Sequence, residues 1–336
     1  MQRPDDTTYK ALKAEISSLL IDGRSKASRA VNTLLVTTYW HIGHHIVEYE
    51  QRGAKTAEYG SELLNRLSHD LRAEFGKGFS RSNLFNIRQL YLRFPIIQTL
   101  SGQLSWSHYV ELLKASDEPE LTFYLKQCEQ ERWSVRQLRR QMKSMLFHRL
   151  ALSKDKQQVL DMSEKGLVVT QPEDLLRDPY IFEFLGLPER ATYSESELER
   201  RLIDHLQQFL LEMGKGFAFI GRQYRISIGG RHFYVDLVFY HRILKCFVLI
   251  DLKRGEVQHE DIGQMNLYLN YFAREEGVED DQPPVGIVLG AYKDHILMEY
   301  ATEHITNTLF VSKYQLHLPD RALLQRQLEE LLNDNP

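Results

Sequence analysis

The stretch FYVDLVFYHRILKCFVLIDLKRG, Phe233 to Gly255, constrains this chain more than any other. Two apolar runs, Phe233 to Tyr240 and Cys246 to Leu252, are rich in Val, Ile, Phe and Tyr, and the short link His241 to Lys245 joins them as in a β-hairpin. Strands apolar on both faces belong in the middle of a sheet. Yet Asp236 interrupts the first run and Asp251 falls near the end of the second. A carboxylate buried without a partner costs several kcal/mol, so two of them in neighbouring core strands call for a cation.

Side chains alternate along a strand, so Asp251 and Lys253 project from the same face. If the hairpin closes near residues 243 and 244, Asp236 falls opposite Asp251, and directly opposed side chains approach to about 5 Å. Oxygen ligands without a nearby Cys or His select magnesium or manganese over zinc. A structural calcium is the rival reading. Lys253 favours catalysis, because an ammonium beside a cation is wasteful for storage but useful for positioning water or stabilising a pentavalent phosphate. On the preceding helical segment, Glu199 is three, four and seven residues from Leu202, Ile203 and Leu206, which places it on the apolar face as a third carboxylate. Beyond the strands, Gln264 and Tyr268 share one helix face and could present an amide and a phenol to a phosphate.

The rest of the chain divides by pattern. From Tyr9 to about Leu150 apolar residues recur at helical spacing, whereas helix and strand alternate after residue 174, so the 336 residues read as α+β. The expected organisation is a helical domain over 1–150, a polar linker over 151–173 and an α/β domain with a central mixed sheet over 174–336. The break Gly76-Lys77-Gly78-Phe79, followed by Ser80 as a helix N-cap, outlines a helix-turn-helix. Its second helix carries Arg81, Asn83, Asn86, Arg88, Gln89 and Arg93, and a later basic helix carries Arg136, Arg139 and Arg140, side chains able to meet phosphates and base edges. The net charge of −4 hides an asymmetry: residues 1–150 hold 22 Lys+Arg against 16 Asp+Glu, the remainder 20 against 30. A basic module beside an acidic, cation-holding one suits a polyanionic partner.

Other function classes are disfavoured. His41, His44 and His45 lack the glutamate of an HExxH zinc site and read as packing or surface residues. Cys128 and Cys246 lie far apart and read as core thiols. No apolar run reaches the roughly 20 residues of a membrane span, and the start lacks a signal-peptide core, so no membrane role and a cytoplasmic location are expected.

A helical acidic residue, an Asp on a strand, Asp-x-Lys on the next strand and a Gln-x-x-x-Tyr helix together resemble the PD-(D/E)XK nuclease superfamily. The YhcG-like family is closer still, through ELERRLIDHLQQFLLEMGKGFAFIGRQYRI from Glu197, DLVFYHR from Asp236, DLKRG and GQMNLYL. The first half is similar to that family's winged-helix-like domain, through TTYWHIGHHI, GFSRSNLFNIRQLY, LSWSHY and WSVRQLRRQ. The resemblance implies a restriction-endonuclease-like sheet flanked by helices and metal-dependent hydrolysis of DNA phosphodiesters. In that scheme Asp236, Asp251 and the Leu252 carbonyl bind Mg2+ or Mn2+, Glu199 completes the site, Lys253 orients the nucleophile, and Gln264, Tyr268 and Gln223 line it. It also implies a homodimer able to cut both strands, in restriction, defence or repair. Two alternatives are a nuclease fold that has become an inactive DNA-binding scaffold and a calcium-stabilised interaction protein.

Overall fold

The computed structural model describes residues 6–52, 57–152, 154–188, 193–292 and 306–333. The chain divides into two compact units, Met1–Arg139 and Arg140–Pro336. Every element wholly within the first unit is helical among the described residues: α1 (Asp6–Arg52), α2 (Ala57–Phe75), α3 (Arg81–Arg93), α4 (Trp106–Leu112) and α5 (Glu118–Glu131). A 3-10 turn at Lys77–Phe79 joins α2 to α3. Ser80 caps α3, its hydroxyl accepting from the Asn83 backbone N–H at 3.2 Å. Ile46, Leu64, Leu84 and Ile87 form the core between these helices, with Tyr39, Ile42 and Phe79 packed against it. At Gly43 α1 crosses α3 so closely that a Cβ would collide with the Ile87 carbonyl oxygen.

Helix α6 (Val135–Lys143) spans the division, and α7 (Leu146–Ala151) follows. The stretch 151–173, expected as a linker, contains α8 (Lys156–Lys165). Asp155 and Gln158 cap it reciprocally, and Val159 and Met162 are buried. Its polar surface had masked these two anchors in the sequence.

The second unit is built on a six-stranded mixed sheet of β1 (Tyr180–Ile181), β2 (Phe217–Ile228), β3 (Arg231–His241), β4 (Cys246–Glu256), β5 (Val285–Tyr292) and β6 (Thr308–Gln315), in the order β1-β6-β5-β4-β3-β2. β2, β3 and β4 are antiparallel, and β4, β5, β6 and β1 are parallel. The parallel step from β4 to β5 passes through α11 (His259–Tyr271), as a crossover requires. Helices α9 (Glu195–Asp204) and α10 (Leu206–Met213) cover one face, where Leu198, Leu202 and Phe209 pack on Leu237, Phe239 and Ile250. On the other face Ile262, Met265 and Leu269 of α11 pack on Val238, Leu249 and Val288. The helical segment that carries Glu199 is interrupted at His205, between α9 and α10. α12 (Arg321–Asn333) ends the described chain. Among the described residues no helix is long and apolar enough to cross a membrane.

Candidate active site

β3 and β4 pair from His241↔Cys246 to Leu237↔Ile250, and one step further along this register Asp236 stands across from Asp251. The ladder stops there. The Leu252 N–H donates instead to Asp236 Oδ2 at 2.8 Å, so a site carboxylate takes the place of a strand partner. Two residues earlier, the Tyr234 carbonyl accepts from the Tyr268 hydroxyl at 3.1 Å. Backbone groups in a sheet interior must be paired, and here side chains of the site pair them. Side-chain alternation also changes phase at this level: Leu237 packs beneath α9, while Val235 packs beneath α11.

The same irregularity appears on β2. Gln223 lies between the pairs Arg222↔Leu237 and Tyr224↔Val235, across from Asp236, with φ of 46°. This left-handed conformation is unfavourable for a residue with a Cβ and marks a position held by its surroundings. Its amide nitrogen donates to Glu199 Oε2 at 2.7 Å and to Asp236 Oδ1 at 2.9 Å. Glu199 itself is buried with Leu198 and Leu202 on the inner face of α9, as its helical position predicts. Three carboxylates, from α9, β3 and β4, thus meet at the point where the β3–β4 ladder opens.

Lys253 follows on β4, its ammonium 2.8 Å from Asp251 Oδ2 and 3.2 Å from Asp261 Oδ1. Asp261 was not among the sequence candidates. It sits in the first turn of α11, where its other oxygen accepts from the Gln258 N–H at 2.8 Å. The sequence signal is the capping pattern at the helix start, which does not reveal that the helix returns beside Lys253. Gln264 and Tyr268 are adjacent on α11 as expected, the amide donating to the phenol. Tyr268 is buried and turned to the β3 backbone, so it braces the strand carrying Asp236.

Burial, reinforced by the neighbouring Asp236 carboxylate, pushes Asp251 up to about 7. Burial also raises Asp236 and Glu199 above their ordinary ranges. The Asp236 carboxylate lies close enough to Asp251 to act directly on its titration. Burial works against the Lys253 ammonium, but Asp251 and Asp261 outweigh it and hold it charged. Asp251 Oδ2 is buried, and its contact with Lys253 is a charge contact off the hydrogen-bonding direction, leaving that oxygen without an aligned donor. Carboxylate oxygens brought together from three elements, two of them on facing strands and largely buried, fit a hard divalent cation.

The residues expected to contact DNA have varied surroundings. Arg81 is exposed at the start of α3, and Asn86 and Gln89 are half-buried along it. Asn83 holds the turn, donating to the Gly78 carbonyl at 2.6 Å and accepting from the Trp106 indole at 2.9 Å. Arg88 pairs with Glu50 at 2.7 Å, Arg93 donates to the Ala115 carbonyl, and Arg139 grips Glu111 through two nitrogens. Arg136 is exposed on α6. Arg140 is turned inward, pairing with Glu212 at 2.9 Å and Glu183 at 3.2 Å beneath the Phe184 ring. A count of basic residues on a helix could not separate those with fold-internal partners. His44 and His45, with Glu48, bring ligand atoms within 4.8 Å of one another, and His41 is not part of the group.

Residues 173–329 match the model of the YhcG PDDEXK nuclease domain, and residues 15–149 that of the DUF1016 N-terminal domain. The chain is 38% identical over 352 residues to the protein named "Putative nuclease YhcG" of Escherichia coli (strain K12), covering 95% of this chain and 93% of that one. Among solved structures it is similar to a repair endonuclease from Pyrococcus abyssi, at 23% identity and a TM-score of 0.27, over 38% of this chain and 49% of that chain. It is likewise similar to EndoMS in a complex with double-stranded DNA, at 20% identity and a TM-score of 0.27, over 38% of this chain and 46% of that chain. By its two domain matches and its near full-length relative, this chain belongs to the YhcG-like family of PD-(D/E)XK nucleases.

Proposed function

We propose that the protein is a magnesium- or manganese-dependent deoxyribonuclease that hydrolyses DNA phosphodiester bonds. The observation that carries this reading is the convergence of Glu199, Asp236 and Asp251 with Lys253 where the β3–β4 ladder opens. A divalent cation, when bound, supplies Lewis acidity toward the phosphate and lowers the pKa of water for attack on phosphorus. Asp236 and Asp251 would hold it, with the Leu252 carbonyl and Glu199 completing the oxygen set. Gln223 keeps the Glu199 and Asp236 carboxylates at a fixed spacing. Lys253, held charged between two carboxylates, orients the attacking water and offsets the charge that builds on the phosphate. Gln264 and Tyr268 brace the β3 backbone, with the Gln264 amide at the edge of the site.

Arg81 and Arg136, exposed on α3 and α6, with Asn86 and Gln89 on α3, are the proposed DNA contacts. Two copies acting together would cut both strands, inside the cell, in restriction, defence or repair. The test is incubation of purified protein with duplex, single-stranded and branched DNA in magnesium, manganese or EDTA, beside Asp251→Ala. Cleavage that needs the metal and is lost with Asp251→Ala supports the reading. Metal-independent binding without cleavage would make the protein a scaffold on a nuclease fold.

A further inference from the structure

Helix α1 extends well beyond the part that packs on α3. From residue 9 to residue 31 every side chain is exposed except Ser25, which is half-buried. This segment is not uniformly polar. At 100° per residue, Leu12, Ile16, Leu19, Gly23, Ala27, Ala30 and Leu34 fall on one stripe. The larger members are open to solvent: Leu12 by 52%, Ile16 by 48%, Leu19 by 73% and Leu34 by 70%. A helical segment without tertiary packing is marginal in water, since helix stability in proteins comes chiefly from a covered apolar face.

The stripe has a symmetry that selects its partner. Its steps run four, three, four, then four, three, four, a palindrome centred on Gly23. Two such helices laid antiparallel about that glycine bring Leu12 against Leu34 of the second copy, Ile16 against Ala30 and Leu19 against Ala27. Ile16 and Leu19 then meet alanines, Leu12 and Leu34 meet each other toward the ends, and the glycines cross, which allows close approach. The charges beside the stripe agree. Glu15 and Asp22 lie on one flank in its first half, Lys26 and Arg29 on the same flank in its second half. Antiparallel pairing sets that flank against its own reverse and brings Glu15 and Asp22 of one copy near Arg29 and Lys26 of the other, while the opposite flank carries Lys13 and Arg24.

We infer that the exposed half of α1 is a self-association surface through which two copies of this chain pair as an antiparallel helix pair about Gly23. The inference does not rest on the nuclease reading, because its test reads mass and cross-linking rather than cleavage. Full-length protein measured by light scattering at tens of micromolar should show twice the 39.5 kDa chain mass. The double variant Leu12→Glu with Leu19→Glu should fall to the single-chain mass while keeping the main thermal transition, since both side chains are already exposed in the single chain. The double variant Ile16→Cys with Ala30→Cys should give a disulfide-linked two-chain species under oxidation, and neither single variant should. Those two positions are about 21 Å apart along one helix, too far to close within a chain. A single-chain mass for the wild type, with the stripe left to a different protein or a lipid surface, overturns the inference. So does a doubled mass that survives the glutamates, or cross-linking through Ile16→Cys alone, which would mean a parallel pair.

Discussion

Gln223 and Asp236 face each other across β2 and β3 at the one level where these strands' pairing skips a residue on each side, joined by a 2.9 Å side-chain hydrogen bond. The backbone of Gln223 is left-handed there, and the same amide holds Glu199. The two roles, backbone and side chain, separate by substitution. Gln223→Ala loses the amide and keeps the backbone strain; Gln223→Gly loses the amide and relieves it. Both should lower activity or metal affinity by about 10- to 100-fold, the usual effect of removing a group that orients ligands. In urea denaturation the Gly variant should exceed the Ala variant in stability by about 1 kcal/mol. Equal stabilities would mean that the backbone is not strained at this position.

Lys253 and Asp251 touch, yet their substitutions should fail in different ways. Lys253→Met should lower kcat by about 10²- to 10³-fold, as expected for a donor acting on the transition state. It should preserve the thermal stabilisation given by magnesium or manganese, since a positive charge leaves the ligand cluster. Asp251→Asn should abolish that stabilisation. If Lys253→Met also abolished it, the lysine would be a structural partner of the carboxylates rather than part of the chemistry. Asp261→Asn, which removes the second carboxylate holding the ammonium, should lower kcat less than Lys253→Met does.

The raised Asp251 carboxyl has a defined consequence for pH. Its folded value of about 7 lies above the ordinary 3.8, so the folded state holds this proton more tightly than the unfolded state. That contribution to stability is fully present below about pH 4 and is lost as pH rises through about 7. In EDTA the stability of the wild type relative to Asp251→Asn should therefore decline across this window. Added magnesium should reverse the trend, its stabilisation growing toward and above pH 7 as the carboxyl ionises. Calorimetry of both proteins from pH 5 to 8 checks the sign. A wild type that gains on the variant with rising pH in EDTA would contradict the assignment.

Away from the site, Glu212 is fully buried and bound by Arg149 at 2.8 Å and Arg140 at 2.9 Å, with the Ile181 N–H on the same carboxylate. Burial alone would raise its pKa, but Arg149, Arg140 and Arg177 outweigh burial and hold it at about 2. The sign is opposite to that of Asp251: this stabilisation is present above about pH 4.5 and is lost as pH falls toward 2. Glu212→Gln should cost about 3–5 kcal/mol at neutral pH, because the buried arginines lose their counter-charge. Chemical denaturation measures it. A loss under 1 kcal/mol would mean that the guanidinium groups find other partners.

The sequence by itself determined the local elements and which carboxylates stand on them at the candidate site. Alternating and continuous apolar patterns place Asp236 and Asp251 on paired strands, helical phase turns Glu199 inward, and Ser80 marks the start of α3, because each depends only on residues a few positions apart. Tertiary structure decided the rest. Asp261 reaches Lys253 only because α11 folds back across the sheet end, and Arg140 is an interior ion-pair residue only because Glu212 and Glu183 close around it. The phase change at Asp236 arises where two strands part and side chains from α11 and β3 satisfy the freed backbone. None of these has a sequence signature, since each is a contact between segments whose separation along the chain says nothing about their distance in space.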